Sequence, residues 1–156
     1  MPSDSPPLSK LERLKQGALD ATTLSEARYF VEAIIAEAPT DGTLVWLKTY
    51  AQYAPTAVTR AAAVEGLTAH WPQVFNVFEI AYKCAIGDPF QRNGHNGDAV
   101  NPRAIALEAI CKCYPEERRT GFLLCDRAEN DADPQVRDLA KQLIDGRLDS
   151  QVESPA

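Results

Sequence analysis

Apolar positions along the chain recur with the period of a helix. Leu44, Leu47 and Ala51 fall on one helical face, as do Phe78, Ala81 and Ala85, and again Leu124 and Ala128. These positions lie in "TLVWLKTYA" (43–51), "NVFEIAYKCA" (76–85) and "GFLLCDRA" (121–128), and each stretch is followed by a second apolar segment. The second segments, "TRAAAVEGLTAHWP" (59–72), "PRAIALEAICKCYP" (102–115) and "VRDLAKQLI" (136–144), align without gaps. Arg60, Arg103 and Arg137 come into register, then Ala63, Ala106 and Ala140, then Leu67, Ile110 and Ile144. The pattern predicts helical pairs repeated along the chain, each with an apolar face that only a neighbouring pair can cover.

The spacing between first and second helices isolates one irregular stretch. Ala51 to Arg60 and Ala128 to Arg137 are each nine residues, whereas Ala85 to Arg103 is eighteen. The excess falls in "GDPFQRNGHNGDAVNPR" (87–103), inside the turn of the middle pair. Its ends read as structural, with Asp88-Pro89-Phe90 closing one helix and Asn101-Pro102-Arg103 opening the next, where a proline needs no amide donor. Asn93-Gly94 and Asn96-Gly97 read as consecutive tight turns, and the middle of the stretch as an insertion the repeat does not need.

The expected fold is therefore all-α: an α-solenoid, a right-handed superhelix of about four helix pairs. Residues 1–8 are expected to be disordered, and 9–39 to form an N-terminal helical pair with helices at Leu8–Ala18 and Leu24–Ala38. The repeats run over 40–72, 73–115 with the insertion at 88–101, and 116–145. Tyr29-Phe30 is expected to seal the N-terminal end, Asp131 or Asp133 to cap the last helix, and the polar tail 146–156 to be disordered. Pro72 and Pro115 end the second helices, because the residue before a proline disfavours helix.

The segment "RAENDADPQVRDLAKQLI" (127–144) resembles HEAT-like repeats, whose second helix opens with an acidic turn, then Val-Arg, then an alanine three residues on. Over roughly residues 44–144, "FEIAYKCAIGDPFQR", "NPRAIALEAICKCYP" and "LLCDRAENDADPQVRDLAKQLI" are similar to the HEAT-repeat tails of cyanobacterial proteins that carry a NACHT-type NTPase domain. This chain has no Gly-x-x-x-x-Gly-Lys-Ser/Thr phosphate loop, so the resemblance implies the tail and not the NTPase. It implies a non-catalytic scaffold or adaptor for another protein. Two alternatives follow from the same resemblance: a phycobilin lyase-like or phycobilisome-handling protein, and a regulatory tail acting with a separate NACHT-type NTPase.

Composition narrows these expectations. The chain has 156 residues and a formal charge of -6, which disfavours contact with phosphate backbones and argues against a nucleic-acid partner. Arg118-Arg119 follows Glu116-Glu117 and reads as a solvated helix start. No apolar run approaches the roughly 20 residues that span a membrane, and "MPSDSPPL" is not an apolar targeting segment, so the expected location is cytoplasmic, with no membrane partner. The four cysteines, Cys84, Cys111, Cys113 and Cys125, are then read as thiols, with Cys113 the exposed one.

Candidate chemistry is sparse, and no catalytic, cofactor or metal site is assigned. Cys111 and Cys113 lie two apart on a helix and so point in different directions, unlike a Cys-x-x-Cys metal knuckle. Asp88, His95 and Asp98 in the insertion lack the fixed short spacing of a calcium loop. His70 stands at a helix end before Trp71-Pro72, with no nucleophile beside it. Arg60, Arg103 and Arg137 are expected to pair with acids across repeats as a structural ladder. The protein-binding candidates are Glu65, Thr68, Trp71, Glu108, Lys112 and Lys141 along the second helices, and Asn93, His95 and Asn96 in the insertion. A solenoid end is a further place for self-association.

Overall fold

The computed structural model describes residues 5–152, which fold into eight helices: α1 (Lys10–Asp20), α2 (Leu24–Glu37), α3 (Asp41–Tyr53), α4 (Ala57–His70), α5 (Val77–Gly87), α6 (Pro102–Cys113), α7 (Arg118–Asn130) and α8 (Pro134–Val152). No strand occurs among the described residues, as the helical periodicity predicts. Small polar residues head the helices and satisfy amides that have no partner within the helix. Ser9 and Glu12 form a reciprocal capping box at α1, so that helix begins two residues later than the apolar pattern suggests. Thr23, Thr40 and Thr56 each accept from the amide three residues on. Asp133, immediately before Pro134, takes the same role for α8 by accepting from the Gln135 amide.

Each odd helix packs on the even helix that follows it, and the even helices pack on one another in chain order. The core lies where these layers meet, around the fully buried Val31, Leu47, Val64, Leu67, Leu107, Ile110, Leu123 and Leu124. Closeness varies along the even layer. Gly66 of α4 sits against α2, and a Cβ there would come within 2.8 Å of Val31 Cγ1 and 3.2 Å of Ile35 Cδ1. Gly66 stands six residues after Arg60; the matching positions in the next two even helices are Ala109 and Leu143. α8 packs on α6 less closely than α6 packs on α4.

Two of the three aligned arginines fasten one pair to the next. Arg60 Nη1 donates to the carbonyl of Ala54, the residue that closes α3, at 2.9 Å. Its Nε and Nη2 grip the carboxylate of Asp88, which closes α5, at 2.7 and 3.1 Å. Arg103 repeats the arrangement one pair on. Nη1 donates to the Asp88 carbonyl at 2.8 Å, and Nε and Nη2 each reach Asp131, which closes α7, at 2.9 Å. Arg137 makes only the first half, donating to the Asp131 carbonyl at 2.6 Å. Each guanidinium thus satisfies the carbonyl at the end of its own pair's first helix. The two complete rungs also tie that pair to the carboxylate at the same place in the next.

The insertion is bound into this ladder and is not spare. Arg92 Nη1 collects the carbonyls of Asn96, Gly97 and Ala99 at 3.2, 2.7 and 3.0 Å, so the loop wraps around its own guanidinium. The same side chain meets both oxygens of Asp133 at 3.1 Å, and Asn101 Nδ2 joins them at 2.9 Å. Two successive turns close through Asn96 and Ala99 amides on the Asn93 and Asn96 carbonyls, as the Asn-Gly pairs predict. The reading of 92–99 as dispensable is corrected: these residues bridge the third helical pair to the fourth.

The termini correct two further expectations. α8 runs on to Val152, where a disordered tail was expected from 146. Gly146 keeps helical geometry, with no positive φ, and Arg147 anchors the extra turns by donating to the Pro115 carbonyl at 3.3 Å. Residues 1–4 and 153–156, the remainder of the expected loose ends, lie outside the described residues. At the N-terminal end Phe30 packs where a Gly17 side chain would overlap its ring, but Tyr29 is 67% exposed and does not seal the end.

Two measurements check this architecture. Gly66→Val should lower stability by about 1–3 kcal/mol through overpacking against Val31 and Ile35, read from the denaturant midpoint. In the ladder, burial opposes the ionisation of Asp131 and Asp133 more than any other single influence. Arg103 and the Asp133 amide on Asp131, and Arg92 and Asn101 on Asp133, together still hold both carboxyls below the ordinary carboxylate range. The unfolded chain therefore binds protons more readily. The ladder's contribution should be complete above about pH 5 and be lost as pH falls through the folded values. Asp131→Asn should be destabilised at pH 7 by about 3–5 kcal/mol and show a shallower acid limb in urea melts across pH.

Candidate protein-binding groove

The even helices leave an open groove of about 830 Å³ on the face away from the odd ones, lined by residues of α2, α4, α6 and α8. Repeat register explains its polar lining. Counting from Arg60 in α4 and Arg103 in α6, the fifth residue on is Glu65 and Glu108, both in the groove. Ala27 holds the arginine's place in α2, six residues after Ala21, which closes α1, as Arg60 is six after Ala54, and its fifth residue on is Glu32. One carboxylate per helix thus follows the groove across α2, α4 and α6.

These acids differ in their occupancy. Arg28 of α2 clamps Glu65 of α4 through two bonds of 2.8 and 2.6 Å. The Arg28 guanidinium is held further into its charged form, first by the hydrogen bonds it donates to Glu65, with burial opposing, and then by the charges of Glu65 and Glu108. Glu32 meets His70 Nε2 at 2.9 Å. Glu108 has no ion-pair partner among the described residues and stands exposed beside Lys112. The lining also has apolar members, Ile105 and Ala109 of α6, both buried, and Leu139 and Leu143 of α8, both half-buried.

The expected binding residues therefore divide. Glu65, Glu108 and Lys112 lie together in the groove. Thr68 is in its floor at 1% exposure, and its hydroxyl is already spent on the Val64 and Glu65 carbonyls, so it is corrected from a contact position to a packing one. Trp71 is half-buried against the core at the end of α4. Lys141 is exposed on α8 outside the groove. Asn93 and His95 are exposed on the insertion, where Asn93 accepts from the His95 amide at 2.8 Å. Asn96 is half-buried and turned inward, accepting from the Asn93 amide and donating to the Gln91 carbonyl. Sequence reasoning missed Arg28, Glu32, Leu139 and Leu143. The frame that aligned Glu65 with Glu108 would have found Glu32 had it been carried back to α2.

The thiols are ordered by burial. Desolvation pushes the Cys84 thiol up to about 12, its Sγ lying 3.6 Å from the Pro102 carbonyl. Burial also raises Cys111, with Arg147 pulling the other way. Cys125 is the exposed one and Cys113 is half-buried, which corrects the expectation for Cys113. No group of three or more histidine, cysteine, aspartate or glutamate side chains among the described residues is arranged to hold a metal ion. No helix among them is long and apolar enough to cross a membrane.

Comparison with family models, with curated proteins and with solved structures gave no match. The groove's environment is open to a direct check. Iodoacetamide labelling of the native protein followed by peptide mass spectrometry should modify Cys125 first and Cys111 slowly. Cys84 should react only after denaturation, because the thiolate is the reactive form.

Proposed function

We propose that the chain is an α-solenoid of about four HEAT-like pairs, wound right-handed, that acts as a non-catalytic scaffold binding another protein along its even-helix face. The observation that carries this reading is the groove itself, a surface built from four helices in one repeat register. An open concavity along stacked pairs is how repeat proteins present an extended binding surface. The polar groups in it support contact more than chemistry. Arg28 is committed to Glu65 and Thr68 to its own helix, and burial holds the Cys111 thiol up, away from the reactive thiolate. The acidic row and the charge of -6 favour a cationic partner over a polyanion.

The test uses a photo-crosslinking amino acid placed at Glu108 in the groove or at the exposed Val45 on α3, each in the full chain in lysate of the source cells. Discrete protein adducts from position 108 and none from 45 are the expected result. Equal patterns, or no adduct from 108, would sink the scaffold reading for this face.

A further inference from the structure

The arginine ladder is unfinished at α8, and its two finished rungs define what completes it. Arg60 and Arg103 each spend Nη1 on the carbonyl that closes their own pair's first helix. Each turns Nε and Nη2 to a carboxylate of the next pair. Arg137 makes the carbonyl bond, and its Nε and Nη2 have no acceptor among the described residues. Arginine and acid also go together in this frame. At the first step of the array both are absent: Ala27 stands in the arginine's place in α2 and Ala54 in the acid's place at the end of α3. At the next two steps both are present, as Arg60 with Asp88 and Arg103 with Asp131. The bound acids share one form. Asp88 and Asp131 each close a first helix, and each accepts from the amide two residues on, that of Phe90 at 3.0 Å and that of Asp133 at 2.8 Å. A carboxylate at the carboxyl end of a helix is disfavoured by that helix's dipole, which the guanidinium offsets.

We infer that Arg137 receives, from another protein, an aspartate that closes a helix and accepts from the amide two residues later. The fork of Nε and Nη2 meets a carboxylate through two parallel bonds, as it does twice within this molecule. A second copy of this chain offers no acid at the matching place, because the buried Ala21 closes its first helix. Beside Arg137 on α8 stand the exposed Asp138 and Lys141, so the arriving surface is polar and is not another apolar repeat. Arg137 lies outside the groove lining, which makes this contact separate from the one proposed for the even-helix face.

Two measurements on the full chain test this. In the first, the arginine Nε–Hε NMR signals are followed as sodium acetate replaces sodium chloride at constant ionic strength. Acetate should move the Arg137 signal and leave those of Arg60 and Arg103, whose forks are filled, in place. Arg118, exposed and without an ion pair among the described residues, gives the response of an ordinary surface arginine. An Arg137 shift no larger than that of Arg118 overturns the inference. In the second, a photo-crosslinking amino acid replaces the exposed Asp138 in lysate of the source cells. The expected result is an adduct with another protein whose crosslinked peptide contains an aspartate. Its yield should fall about tenfold in Arg137→Lys, which keeps one donor for the Asp131 carbonyl and loses the fork. Circular dichroism melts check the fold of that variant, and if it unfolds the acetate response of the unaltered chain decides. No adduct, an adduct with a second copy of this chain, or one undiminished by Arg137→Lys overturns the inference.

Discussion

Guanidinium groups buried at the ends of helices hold this molecule in register. Arg60 and Arg103 each bond the carbonyl that ends one first helix and the carboxylate that ends the next, so one side chain sets both the angle within a pair and the step between pairs. The geometry must be complete, because an unpaired charge at these depths costs several kcal/mol. It is complete: no buried side-chain nitrogen or oxygen among the described residues lacks a hydrogen-bond partner. Packing of alanine and leucine drives the layers together, but apolar contact alone tolerates sliding. The ladder rejects any register in which a carboxylate misses its arginine.

The insertion takes its place from the same constraint. Asp133 sits two residues beyond the rung at Asp131 and is gripped by Arg92, whose other donors gather the loop's own carbonyls. A stretch that reads as an interruption is thus held at both ends, through Arg92 and Asn101, by Asp133, the acid that caps α8. Its exposed tip, Asn93 to His95, is carried on a rigid base.

Much of the fold was legible because the repeat signal is redundant. Periodicity, the aligned Arg60, Arg103 and Arg137, and the prolines at 72 and 115 point to the same helices, and the ends of α4 and α6 fall where those prolines place them. What escaped was what depends on a partner distant in sequence. Nothing local marks Arg92 as the organiser of its loop, since its acid lies 41 residues away. Gly146 and the polar residues after it read as a helix stop, and only the contact from Arg147 to the Pro115 carbonyl explains why α8 continues. The groove was half legible, because its acids follow the repeat frame. Its apolar members were not, because Leu139 and Leu143 read from the sequence as ordinary packing positions of a last helix.

α8 departs from the other even helices at one position. The residue four places after the ladder arginine is Val64 in α4 and Leu107 in α6, both fully buried, and the corresponding Val31 of α2 presses on the helix that follows it. In α8 that place belongs to Lys141, with Asp138 and Asp145 one turn to either side, all exposed. Arg137 keeps a rung open, yet the surface around it is hydrated and charged. With an ammonium group where the preceding helices put valine or leucine, this stretch of α8 keeps its water, and burying it under an apolar surface would carry the cost of desolvating a charge.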